Sequence, residues 1–307
     1  MQTLAQGIHY FDLKFRNCPR AIAGVLLQGA GGVTLLDPGP ASTLPVLRQA
    51  LAASGMSLRD VTGILLTHIH LDHAGGVGVL VREQPEIQVY VHEVGVPHLV
   101  DPSKLVASAT RLYGDQMDEL WGEMAPVPRD AIVALTGGER LPVSGRLLDV
   151  AYTPGHASHH VSYFNADSGI AFVGDTAGVC PFQDGMVLPP TPPPDIDLER
   201  WVASLDAIGA WHPDTLLLTH FGPHGQTDAH LAELRDRLEL VGDLARRSLE
   251  QDGDDPAKEQ WFVDGLRRQL RQHLSEDEAL SYEVSGRFDL NWRGLARYWR
   301  KRGEIRA

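Results

Sequence analysis

The chain has 307 residues, 43% of them hydrophobic, with 40 acidic and 27 basic side chains and a net charge of −13. Such a charge repels nucleic-acid phosphates, no apolar run approaches the ~18 residues of a membrane span, and two cysteines, Cys18 and Cys180, form no disulfide framework. We therefore expect a cytoplasmic protein with no nucleic-acid or membrane partner, able to bury its own core.

Met1 to Phe15 has no basic start followed by an apolar core, so no signal peptide is expected. Residues 7 to 37 read as strands, with Gly29-Ala30-Gly31-Gly32 as a tight connection and Val33-Thr34-Leu35-Leu36 running into Asp37-Pro38-Gly39. Ser42 to Ser54 reads as a helix capped by Ser42, with Pro45 in its first turn, Gly55 at its end and a buried stripe of Leu44, Leu47 and Leu51. Ile64-Leu65-Leu66 leads into Thr67-His68-Ile69-His70-Leu71-Asp72-His73, and Gly75-Gly76 opens another helix. A strand covers 87–92. Residues 97–128 read as an inserted helical stretch with Tyr113, Met117 and Trp121, either a wall over the site or plain core.

Three further strands end on a polar group. Leu147 to Tyr152 is followed by Pro154-Gly155 and His156, Gly169 to Val173 by Asp175, and Thr215 to Leu218 by His220. With the strands before Asp37 and His68, five strands are expected to deliver such groups to one sheet edge. Pro181 to Pro194 is too proline-rich for a helix or a central strand. It starts six residues after Asp175 and is expected along the site, with Phe182 and Met186 toward substrate, unless it is only a linker. Asp197 to Ala210 and Thr227 to Leu249 read as amphipathic helices. The remainder is helical, giving a division into 1–250 and a C-terminal extension, 251–307. Arg287 to Arg306 holds seven Lys or Arg residues beside Trp292, Tyr298 and Trp299. That tail is either a packed helix with a basic face, a contact in a homo-oligomer, or a surface for an acidic acyl or thiol carrier.

His68, His70, Asp72, His73, His156, Asp175 and His220 make seven candidate ligands, too many for one tetrahedral ion. They suit two. His68, His70 and His156 are assigned to the first ion, Asp72, His73 and His220 to the second, with Asp175 bridging. Zinc is the expected metal, with iron or manganese as options. Two such ions would generate a hydroxide nucleophile at neutral pH, which Asp72 is placed to orient and deprotonate. Asp37 is expected to support a ligand histidine rather than to bind metal. His160 is expected to hydrogen-bond near the ligands. His224 is a candidate proton donor or an exposed loop residue. No G-x-S-x-G elbow competes.

H-x-H-x-D-H followed by spaced His, Asp and His resembles the metallo-β-lactamase superfamily over about residues 20 to 225, with all seven ligand positions matched in order. The resemblance implies an α/β fold, the four-layer αββα sandwich, here with a helical C-terminal appendage. Asp175 is present and Cys180 lies five residues beyond it, out of the pattern in which zinc β-lactamases use a cysteine. The glyoxalase II and lactonase branch is the better likeness. It implies a hydrolase of a thioester, lactone or ester in a small-molecule substrate. A mononuclear iron persulfide dioxygenase, a phosphodiesterase and a non-catalytic binding protein on the same scaffold remain alternatives.

Overall fold

The computed structural model describes residues 1–182 and 185–303. Seven strands form the first sheet in chain order: β1 (Gln2–Ala5), β2 (Ile8–Asp12), β3 (Ala23–Gly29), β4 (Gly32–Leu36), β5 (Val61–Leu65), β6 (Gln88–His92) and β7 (Ile132–Leu135). β1 to β4 are antiparallel neighbours, and β4 to β7 run parallel. The second sheet holds β8 (Arg140–Val143), β9 (Arg146–Tyr152), β10 (Val161–Asn165), β11 (Ile170–Gly174), β12 (Thr215–Leu218) and β13 (Gly222–His224) in the spatial order β13-β12-β11-β10-β9-β8. Its pairs are antiparallel except β11 with β12.

Alternation along each strand sends side chains to opposite faces. Val25 and Leu27 of β3, Leu36 of β4, Ile170 and Phe172 of β11 and Leu217 of β12 meet in one core between the sheets. Their neighbours Leu26, Val33 and Leu35 face outward onto α1 (Leu44–Ala53) and α3 (Val77–Glu83), which follows the short α2 (Leu71–Ala74). This outer core also takes Val96 and Leu99 of α4 (Val96–Val100), Ala109 of α5 (Ser103–Tyr113) and Leu120 and Trp121 of α6 (Met117–Trp121). On the far side Ala171, Val173, Leu216 and Leu218 pack under α7 (Leu198–Gly209), α8 (Thr227–Leu249), α9 (Asp255–Leu270), α10 (Glu276–Gly286) and α11 (Phe288–Lys301). The result is an αββα sandwich with a helical C-terminal region. No helix among the described residues is long and apolar enough to cross a membrane.

Local signals start these helices. Asp197 accepts the Arg200 amide at 3.1 Å ahead of α7, Asp254 accepts the Ala257 amide at 3.2 Å ahead of α9, and Ser275 with Glu278 forms a reciprocal capping box on α10. The helix expected from Ser42 begins later. Residues 41–43 form a 3-10 turn, and the Ser42 hydroxyl donates to the Leu120 carbonyl at 2.6 Å instead of capping. The polar groups expected at one sheet edge come instead from two sheets: β4 and β5 lie in the first, and β9, β11 and β12 in the second. Local strand patterns do not say which strands pair; the two facing sheets are those that the αββα resemblance implied. The division expected at residue 250 falls between α8 and α9, and the core around Phe262, Leu266 and Trp292 continues into Trp201 and Leu205 of α7.

Candidate metal centre

Strand β5 ends at Leu65, and the chain enters a loop whose His70 precedes the first turn of α2. His68 and His70 therefore lie on the loop, and Asp72 and His73 inside that turn. Across the interface, β9 leads to Gly155 and His156, β11 to Asp175, and β12 to His220. Two glycines make the approach possible. Gly155 has φ +140°, and a Cβ there would lie 2.4 Å from the Trp201 backbone. Gly174 has φ +49°, and a Cβ would lie 2.5 Å from the Thr67 hydroxyl and 2.7 Å from His160 Nε2.

All seven side chains converge. Donor atoms of His68, His70 and His156 lie within 4.8 Å of one another, as do those of Asp72, His73 and His220, and those of His68, His73 and Asp175. Asp175 joins the groups: its Oδ2 lies 3.3 Å from His156 Nε2, and its Oδ1 lies 3.2 Å from His73 Nε2 and 3.4 Å from His220 Nε2. Asp72 Oδ2 is 3.3 Å from His220 Nε2. His70 Nδ1 faces His156 Nε2 at 2.9 Å.

The far sides of the rings are held by oxygens. His73 Nδ1 donates to Asp37 Oδ2 at 2.8 Å, His156 Nδ1 to the Pro190 carbonyl at 2.8 Å, and His220 Nδ1 to the Ala21 carbonyl at 2.5 Å. Each bond puts a ring proton on Nδ1 and turns Nε2 inward, where the unprotonated nitrogen is a metal donor. His68 Nδ1 lies 3.1 Å from Thr67 Oγ1, whose own proton goes to Asp37 at 2.7 Å. Asp37, fully buried, also accepts from the Thr67 amide at 2.9 Å and from the Thr219 hydroxyl at 3.0 Å. His160 sits behind Asp175: its Nε2 accepts the Asp175 amide at 3.3 Å, and its Nδ1 lies 3.0 Å from Thr153 Oγ1.

Electrostatics separates the rings. Burial, aided by neighbouring imidazoles, holds His68 well below its ordinary pKa and brings His70 to about 4. Burial would also lower His73 and His220. At His73 the charges of Asp175, Asp37 and Asp72 outweigh it, and at His220 those of Asp175 and Asp72 do, so both are raised. Burial would raise Asp72, but the charge of His73 and the hydrogen bond from His220 bring it down to about 2. His68 Nε2, His73 Nε2 and Asp175 Oδ1 are buried without a hydrogen-bond partner among the described residues. An orphaned buried polar atom costs roughly 1–3 kcal/mol. Three at one point, all of types that bind divalent cations, fit a metal centre.

A cavity of about 380 Å³ opens over His70, Asp72, His156 and Asp175. Its walls come from the 97–128 stretch, through Leu105, Leu112, Tyr113 and Trp121, and from Pro190 and Pro192–Pro194. Met117 packs in the outer core. Arg287, Leu290 and Asn291 of the C-terminal region also line it, as do His98 and His159, histidines that no sequence pattern had marked. Phe182 and Met186 do not line this cavity. Phe182 lies 6.1 Å from the Tyr282 ring under the Arg20 guanidinium, and Met186 is buried in the core beneath α8 and α9. A hydrophobic side chain in a proline-rich segment is drawn to whichever apolar surface it crosses, and the sequence did not show that surface. His224 is neither an exposed loop residue nor a lining residue of the cavity. It ends β13, is 7% exposed, and its ring lies 5.1 Å from that of His230. Cys180 is buried, and burial pushes its thiol up to about 12. The basic tail is a packed helix over its described part: Trp292 and Tyr298 are buried, and Arg287, Arg293, Arg300 and Arg302 pair with Asp289, Glu259, Asp255 and Glu199. Arg306 lies outside the described residues.

A family model described as the metallo-beta-lactamase superfamily matches residues 19–220. The chain is 30% identical over 207 residues to a metallo-beta-lactamase fold-containing protein of Sulfurisphaera tokodaii, covering 61% of this chain and 75% of that one. It is 31% identical over 185 residues to a hydroxyacylglutathione hydrolase of a Synechococcus strain, covering 60% of this chain and 56% of that one. The match thus spans little more than half of that relative, and 43% of the next hydroxyacylglutathione hydrolase, from Legionella pneumophila. Among solved structures, a metallo-beta-lactamase family protein of Thermus thermophilus superposes with a TM-score of 0.70 at 23% identity, over 98% of this chain and 95% of that one. At that identity the likeness concerns the fold.

Proposed function

This chain belongs to the metallo-beta-lactamase superfamily, and from that premise we propose that it is a metal-dependent hydrolase of an ester-like bond (thioester, lactone or simple ester) in a small molecule. The observation that carries the reading is Asp175, whose two oxygens face different donor groups, Oδ2 toward His156 and Oδ1 toward His73 and His220. On this reading His68, His70 and His156 would hold one divalent ion, Asp72, His73 and His220 a second, and Asp175 would be shared. Zinc suits imidazole with carboxylate, and iron or manganese are accepted by the same donors. Bound there, such metals supply Lewis-acid polarisation of a carbonyl and an acidified water, its pKa brought from ~16 toward ~7.

The chain's own residues do the rest. Asp72, whose carboxylate faces the cavity, accepts a proton of the attacking water and orients it. Asp37 and the Pro190 and Ala21 carbonyls keep the histidine tautomers that aim Nε2 inward. The apolar cavity walls exclude bulk water and fix the scissile bond over Asp175. The relatives named hydroxyacylglutathione hydrolase support hydrolysis as the reaction.

The deciding experiment pairs metal analysis with a side-by-side screen of thioesters, lactones and phosphodiesters. The expected result is about two metals per chain, ester turnover lost on chelation, and Asp175→Ala losing one metal and most turnover. One iron with oxygen uptake on a persulfide would indicate the dioxygenase instead. Faster phosphodiester cleavage would indicate a phosphodiesterase. Turnover untouched by Asp175→Ala would overturn the shared carboxylate.

A further inference from the structure

We infer, resting on the ester-hydrolase reading, that the substrate has an apolar body ending in an anionic group, a carboxylate or a phosphate, which Lys104 and Arg111 of α5 read at the cavity margin. Helix α5 turns one stripe to the cavity. Leu105, Ala109 and Leu112 supply its apolar strip, and Lys104, Ser108 and Arg111 border it. Positions 104, 108 and 111 recur at helical spacing, so the two cations lie about two turns apart on one edge. Pro190, Pro192 and Leu290 add further apolar lining. An ester with polar groups along its whole length would leave this apolar lining unmatched, whereas an apolar body buries it.

The charges at the margin are unevenly satisfied. Arg287 is neutralised by Asp289, in contacts of 2.8 and 3.0 Å, and the margin acid Asp195 accepts the Ser158 hydroxyl at 2.6 Å. Lys104 and Arg111 are exposed and form no ion pair or hydrogen bond among the described residues. Asp101, the acid that feels Lys104, is engaged by the Ser103 amide at 3.1 Å. Two uncommitted cations beside an apolar cavity, on a chain of net charge −13, draw anions to that one edge and set the register of a ligand whose other end reaches the metal centre.

The test uses methyl ketones, which present a carbonyl but no scissile ester. Calorimetry on the metal-loaded full chain compares ω-carboxylate ketones of graded length with their neutral ω-amides, and a parallel ω-phosphonate series tells the two kinds of anion apart. At the best length one of the anions binds about threefold to tenfold more tightly than the amide, the size expected for solvent-exposed charge pairs. Lys104→Gln with Arg111→Gln brings the ratio to one, and Lys104→Glu with Arg111→Glu inverts it; both sites are exposed, so the fold tolerates either pair. A ratio of one at every length overturns the inference. So does a preference that survives in both variants, as it would if the metal centre alone held the anion. Failure of the hydrolase reading is seen separately, as no ester turnover by the metal-loaded chain, and leaves the binding ratios readable.

Discussion

Asp37 shows how much can rest on one carboxylate. It is fully buried in a left-handed backbone conformation, φ +46°, and its two oxygens take the Thr67 amide, the Thr67 and Thr219 hydroxyls and His73 Nδ1. Removing it orphans these donors together, so Asp37→Ala is expected to cost about 3–5 kcal/mol in chemical denaturation and to weaken metal affinity roughly 10–100-fold by direct titration. His224 acts through pH. Burial, with His230 beside it, lowers its pKa from 6.5 to about 4. The folded protein thus keeps the ring neutral where the unfolded chain protonates it. Its contribution is complete above about pH 6.5 and declines as pH falls toward 4, by about 1–3 kcal/mol in all. Denaturant midpoints from pH 4.5 to 7.5 should show the native chain losing stability relative to His224→Leu toward the acid end. A difference independent of pH would show that this ring is not the titrating group.

At the scale of elements, the C-terminal helix reaches the metal centre through the proline-rich strap. Asn291 of α11 accepts the Thr191 amide at 2.8 Å, and its backbone carbonyl accepts the Thr191 hydroxyl at 3.2 Å. The carbonyl of the preceding Pro190 holds His156. The contact is close because α11 has glycine at 294, where a Cβ would lie 2.0 Å from the Thr191 oxygen. Asn291→Ala should cost about 1–3 kcal/mol by leaving the buried Thr191 amide unpaired. If the strap positions His156, the variant also loses metal affinity while its circular dichroism is unchanged. Unaltered metal binding would reduce Asn291 to a structural residue.

For the whole molecule, the C-terminal helices are part of the core on which the second sheet rests. Phe262, Leu270, Tyr282 and Leu295 are fully buried there, and Leu266 nearly so. Each such side chain contributes roughly 1.5–3 kcal/mol, and together they rival the 5–15 kcal/mol that holds a typical domain. Truncation after Glu250 should therefore abolish the cooperative thermal transition rather than release a smaller active domain. A truncated chain that melts sharply and binds metal would show residues 1–250 to be self-sufficient.

Several features were legible in the sequence because their causes are local. Strand periodicity, the histidine-rich turn and the polar residue placed one to four positions past each strand depend on neighbours in the chain, and they were enough to single out the seven candidate ligands; the αββα class was implied by the family resemblance that those residues carry. What the tertiary structure decided was everything that depends on which surfaces meet. It fixed which strands of each sheet supply the site, β4 and β5 from the first and β9, β11 and β12 from the second. Backbone carbonyls of Ala21 and Pro190, which leave no side-chain signature, orient His220 and His156. Phe182 and His224 turn away from the cavity, and Arg287 and Asn291, more than a hundred residues beyond Asp175, turn toward it. Burial and partner choice are properties of packed surfaces far apart in the chain, and no window of neighbouring residues encodes them.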